Sequence, residues 1–195
     1  AEAIALRAAA GSPDLRTIST TPPTAPTWIV AVPSHIEHKL AKSGTPYGEL
    51  TLEDDHGTVR VVLFAEGLQT IQRVIDRAPL QAVVVRLQYT RTKRGESWHM
   101  LAASSMPDWL KILPTVALDL HDDLKVEDAA TIFDPIKAIL DHAEPGPTAL
   151  AVHLRDERGT PRTLTRRRAL TLTPMLLRAL SLVPSVKTVR LSPVP

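Results

Sequence analysis

The chain has 195 residues, 44% of them hydrophobic and 23% charged, with a formal net charge of +2; it is long enough for one domain or two small ones and ordinary for a globular protein. Cysteine is absent, which excludes disulfides, thiolate metal sites and cysteine nucleophiles. No apolar run is long enough to span a bilayer and no signal-peptide pattern is present, so a soluble cytoplasmic protein is expected, and any affinity for polyanions has to come from local clusters.

Residues 1–26 read as a loosely ordered linker. Ala1–Ala10 is Ala-rich with Ile4 and Leu6, and Gly11–Pro26 carries four prolines among Ser and Thr. Helices this short are marginal in water. The chain opens on Ala1 rather than Met, as expected of a processed product or a fragment of something longer.

A first domain is expected over 27–110. Trp28, Val30 and Val32 alternate with Ile29 and Ala31 as strand one, which Pro33 closes or bends. His35–Ser43 is a polar, mildly basic connection. The central stretch is Gly44–Ala65, GTPYGELTLEDDHGTVRVVLFA. Leu50 and Leu52 fall on one face of strand two while Tyr47, Glu49, Thr51 and Glu53 fall on the other. Asp55-His56-Gly57 turns the chain, and the β-branched run Val59–Ala65 makes strand three. Leu68, Ile71, Val74 and Ile75 sit at helical spacing over Glu66–Ala78, and Pro79 ends that helix. Val83, Val85, Leu87 and Tyr89 alternate as strand four. Thr92–Glu96 turns into strand five, Ser97–Ala103. Three strands, a helix and two strands is the order of a five-stranded OB-fold barrel.

A second domain is expected over 111–195. Val116, Leu118 and Leu120 form a strand, and a helix interrupted by Pro135 spans Val126–His142. Ala149–Leu154 is a strand, Asp156–Gly159 a turn, and Leu164–Leu172 a return strand carrying Arg166, Arg167 and Arg168. Thr173-Pro174 has the N-cap and first-position chemistry of a helix start, and Val186–Leu191 closes the unit. The fold class is thus a β-barrel plus α+β: an OB-fold followed by a small β-α-β-β-α-β domain with a split-βαβ character.

Three motifs carry a family resemblance: GELTLEDDHGTVRVVLFAEGL (Gly48–Leu68), WHMLAASSMPD (Trp98–Asp108) and EPGPTALAVHL (Glu144–Leu154). In this order, with TPMLLRALSLVPSVKTVRL as a closing element, residues 27–191 resemble the C-terminal part of the bacterial replicative DNA polymerase III alpha subunit. The resemblance implies an OB domain near emerging single-stranded template and a tail that contacts the tau subunit of the clamp loader. It implies no catalysis by this segment, because the family's polymerase and exonuclease-like domains lie upstream. The leading 26 residues lack the family's clamp-binding peptide, a Gln followed by spaced aliphatic and aromatic residues. The full tail favours the replicative over the error-prone relatives.

Single-strand binding needs cations along the phosphates and flat side chains for base stacking. The OB groove is formed by the outer faces of strands two and three and by the loops joining strands one and two and strands four and five. The first loop offers His35, His38, Lys39 and Lys42, and the second Arg91, Lys93 and Arg94. Arg86 and Arg60 lie on outward faces of strands four and three. Tyr47 is the foremost stacking candidate and Phe64 a weaker one, with Phe64, Trp28 and Trp98 expected mainly in the core. Glu49 and Glu53 share Tyr47's face and repel phosphate, so weak, salt-sensitive, sequence-independent binding of single-stranded DNA follows. Arg166, Arg167 and Arg168 read as a guarded edge strand or a partner contact. No cofactor is expected and no metal: His35 with His38 sits in a loop without a third ligand, and His121 with Asp122 and Asp123 abuts a strand end. Glu53-Asp54-Asp55 fits a turn better than a paired-carboxylate site.

Overall fold

The computed structural model describes residues 2–77, 81–93, 95–113, 115–122, 124, 129–156, 158–166 and 169–191. They form two compact units: Ser12–Met106, and Ala1–Gly11 together with Pro107–Pro195.

The first unit is a closed barrel. Its strands are β1 (Thr27–Leu40), β2 (Pro46–Glu53), β3 (Thr58–Phe64), β4 (Val83–Thr92) and β5 (Gly95–Ser105), with α3 (Ala65–Arg77) between β3 and β4. The hydrogen-bonded order is β1-β2-β3-β5-β4, and β4 returns to β1 through pairs such as Ile29 with Val85. A short parallel pairing, Val61 with Trp98 and Val62 with His99, joins β3 to β5. This is the OB-fold topology.

Alternation explains the core. Ile29, Leu50, Leu52, Val59, Val61, Leu63, Val83, Val85, Leu87 and Trp98 point inward and are buried, each large aliphatic side chain contributing about 1.5–3 kcal/mol. Ile71 of α3 is fully buried against them, with Leu68 beside it. Gly48 lets Leu68 sit close, since a Cβ there would lie 2.9 Å from Leu68 Cδ1 and displace that methyl.

One sequence expectation fails here, the loop over His35–Ser43. Of the two outcomes expected at Pro33, a bend and not a stop is found: β1 runs on to Leu40 with a register shift between Pro33 and His35. A bulge spares proline the ladder hydrogen bond that it cannot donate. His35, His38 and Lys39 therefore stand on a strand, and the β1–β2 loop shrinks to residues 41–45, where Gly44 turns at φ 80.

Residues 1–26 are also more than a linker. They hold α1 (Glu2–Ala9) and α2 (Leu15–Thr20). Leu15 and Ile18 of α2 belong to the barrel core, and α1 packs on the second unit's α6 (Pro174–Ser181) and β9 (Val186–Leu191), with Leu6 fully buried. Tertiary burial offsets the weak intrinsic helicity of such short segments. Asp54 ties α2 to the barrel: its carboxylate accepts from Leu15 N at 2.9 Å and from the turn amides of His56 and Gly57 at 2.8 and 2.9 Å.

The second unit is a four-stranded sheet in the order β8-β7-β6-β9, formed by β6 (Thr115–Leu120), β7 (Pro145–Arg155), β8 (Pro161–Thr165) and β9. After the short helix α4 (Met106–Lys111), α5 (Ala129–Asp141) runs continuously through Pro135; the expected helix start over 126–128 lies outside the described residues. β6 and β7 pair directly in parallel, with Val116 opposite Leu150. The split-βαβ expectation is therefore corrected: no strand is inserted between them. The tight β7–β8 turn, where Gly159 has φ 75, places β8 on β7's other edge. The return strand ends at Thr165 instead of Leu172. α6 starts as its sequence requires, with Thr173 Oγ1 accepting from Leu176 N at 3.1 Å and Pro174 in the first turn.

Candidate nucleic-acid interface

The outward residues of the barrel follow from the same alternation that fills its core. Opposite Leu50, Leu52, Val61 and Leu63, the register sets Tyr47 beside Phe64, Glu49 beside Val62 and Thr51 beside Arg60. On β5 the inward Trp98 leaves Ser97 and His99 facing out. Phe64 and His99 stack, ring centroids 5.6 Å apart and planes within 7°, while the Ser97 hydroxyl meets His99 Nε2 at 2.9 Å and orients the ring. On β1, Lys39 lies opposite Tyr47. One transverse row, Lys39–Tyr47–Phe64–His99, thus crosses four strands.

Phe64 corrects an expectation. It is 62% exposed, so it forms the open centre of this row and not part of the core. Trp98, 8% exposed, is core as expected. Trp28 is half-buried, with the Arg86 guanidinium carbon 6.0 Å from its ring centroid. His99 escaped the sequence reading. Its signal was the alternation itself, since a core Trp98 puts both neighbours outside.

The cations divide by what holds them. Lys39 Nζ sits 2.8 Å from Glu49 and 3.1 Å from Glu37, and hydrogen bonding first to Glu49 and then to Glu37 keeps its pKa above the usual lysine value. Arg91 is bound by Glu96, which also accepts from the Tyr89 hydroxyl. The Tyr89 bond, then the Arg91 bond, holds the Glu96 carboxyl below its ordinary range. Arg86 lies along Trp28 with a buried Nε that has no hydrogen-bond partner among the described residues. Lys42 and Lys93 are exposed at their loops, and Arg60 is exposed on β3. Arg94 lies outside the described residues.

The arginine run separates. Arg166 donates through Nη2 to the Leu140 carbonyl at 3.1 Å and so caps the C-terminal end of α5, where a cation meets the helix dipole. Arg167 and Arg168 lie outside the described residues. Among the described residues, no group of three or more His, Asp or Glu is placed to hold a metal ion. No described helix is long and apolar enough to cross a membrane.

No protein-family model matches the chain, and no curated protein matches it. Among solved structures it is similar to the protein PriB from Ralstonia solanacearum, with 12% identity over 42% of this chain and 96% of that one, at a TM-score of 0.32. It is also similar to the second OB-fold domain of replication protein A from Methanococcus maripaludis, with 19% identity over 43% of this chain and 86% of that one, at a TM-score of 0.30. The fold rests on strand order and barrel closure, to which such low scores add nothing.

Proposed function

We propose that the barrel holds single-stranded DNA, with bases stacking on Tyr47, Phe64 and His99 while Arg60, Lys42 and Lys93 meet the phosphates. One observation carries this reading: a large aromatic ring, Phe64, is 62% exposed at the centre of an outward aromatic row. An apolar ring left in water on a rigid sheet offers a base face at little ordering cost, and base–aromatic stacking is worth about 1–3 kcal/mol per base. Because Lys39 and Arg91 are held by carboxylates of the chain itself, few cations face the phosphates, and binding is weak and sequence-independent.

By its motifs the chain is further read as the non-catalytic C-terminal segment of a cytoplasmic bacterial replicative polymerase alpha subunit, its tail docking the clamp loader's tau subunit. Weak affinity suits a tethered module, since tethering raises effective concentration. A second reading, a protein-interaction module without DNA affinity, draws on Glu37 and Glu49 flanking Lys39. Anisotropy of labelled oligothymidylate at two salt concentrations separates the two. Phosphate contacts require log K to fall with log salt at a slope of about −0.7 per neutralised phosphate, whereas the second reading gives no signal. For the tail, deleting residues 114–195 is expected to abolish capture of purified tau and leave DNA affinity unchanged; retained capture would count against that assignment.

A further inference from the structure

The second unit carries a charged concavity that the reading above does not use. One sheet face carries Val116, Leu118, Leu150, Val152 and Val189, which are buried. The opposite face carries Asp119, His153, Arg155 and Arg190 by alternation. Where β6 and β7 reach their carboxyl ends and β9 begins, these four, with Asp122 and Lys187, line a cavity of about 380 Å³. That volume is within the range of small-ligand sites, roughly 300–1,000 Å³.

The cluster is unbalanced. Arg190 grips Asp119 at two points, Nε–Oδ2 2.5 Å and Nη2–Oδ1 2.6 Å. Asp122 is shared between Lys187 at 2.9 Å and Arg155 at 3.2 Å. Among the described residues, three permanent cations face two carboxylates here, and His153 Nδ1 stands 3.7 Å from Asp119. The carboxylates also act as clamps. They fix long side chains whose rotamer entropy an incoming ligand would otherwise have to remove. Among the described residues each cation keeps donors to spare: Nη1 of Arg190, two hydrogens of Lys187, and Nη2 of Arg155, whose Nη1 donates to the Gly159 carbonyl at 2.9 Å. The charge pattern holds across the neutral range. Hydrogen bonding to Asp122 raises the Lys187 pKa, and bonds from Lys187 and then Arg155 lower that of Asp122.

We propose that this concavity is a phosphate-binding site, taking a phosphate group presented by a nucleic-acid backbone or by a mononucleotide. Spare guanidinium and ammonium donors on pre-set side chains suit the several acceptor oxygens of a phosphate.

The test uses the full chain and amide NMR spectra at constant ionic strength. Inorganic phosphate, a deoxynucleoside monophosphate and a short oligothymidylate are titrated separately. Phosphate is expected to shift residues 119–122, 153–155 and 187–190, and the joint variant Arg155→Ala, Lys187→Ala to weaken that response about tenfold. Both residues are exposed, so the variant is expected to keep the native melting temperature; should it not fold, Lys187→Ala alone is read the same way. Saturation by the oligonucleotide at lower concentration than the monophosphate assigns the source as nucleic acid, and the reverse order assigns a mononucleotide. The site is refuted if none of the three ligands moves these residues, or if the shifts persist unchanged in the variant. Phe64→Ala is expected to leave the phosphate response intact, so failure of the barrel reading is separable from failure of this one.

Discussion

Truncating Phe64 to alanine is the most discriminating perturbation of the barrel face. The side chain is 62% exposed, so little buried area is lost, and its stack on His99 is worth at most about 0.5–1.5 kcal/mol. Folding stability should fall by no more than about 1.5 kcal/mol. Binding should fall by about 5- to 150-fold in Kd, because one stacked base contributes ~1–3 kcal/mol. The assay pairs anisotropy of labelled oligothymidylate with urea unfolding of the same variant. Affinity unchanged within about twofold would remove Phe64 from the interface. A stability loss of about 3–5 kcal/mol, the cost of Phe→Ala in a core, would instead mean that the ring is buried and offers no face to a base.

Further outcomes follow from the same geometry. The joint variant Glu37→Gln, Glu49→Gln removes both carboxylates that hold Lys39, and DNA affinity should rise about two- to fivefold with a steeper salt slope, both read by the same anisotropy assay. Ile18→Ala should destabilise the barrel by about 2–5 kcal/mol in urea unfolding, whereas a loose linker at residues 1–26 would give no change. Thr148→Val removes a buried donor that bonds the Leu113 carbonyl at 3.0 Å; a loss of about 1–3 kcal/mol is expected by thermal denaturation. Acid dependence has a definite sign. Glu96 and Asp122 titrate below their ordinary values of 4.5 and 3.8 in the folded chain. Their contribution is therefore complete above those values and lost as pH falls through the lowered ones. Both are exposed and salt-screened, so Glu96→Gln should flatten only slightly the loss of melting temperature below pH ~4.

Local periodicity made much of this architecture legible. The alternation of Leu50 with Leu52 and of Val59, Val61 and Leu63, the helical spacing of Leu68, Ile71, Val74 and Ile75, and the Thr173-Pro174 cap each depend on residues a few positions apart. Sequence alone could therefore set strands, helices and facing. It could also have set Phe64 and His99 outward, had their alternation with Leu63 and Trp98 outweighed their hydrophobicity and ring chemistry. Tertiary structure alone decided what lies between elements distant in the chain: the parallel closure of β3 on β5, the direct pairing of β6 with β7, and the burial of Leu15 and Ile18. It also decided which cations are engaged, since Lys39 meets Glu49 only across a strand pair and Arg190 meets Asp119 across 71 residues. The physical reason is range. Side-chain direction is dictated by the backbone's own repeat, while partners are chosen by the core that all strands must share.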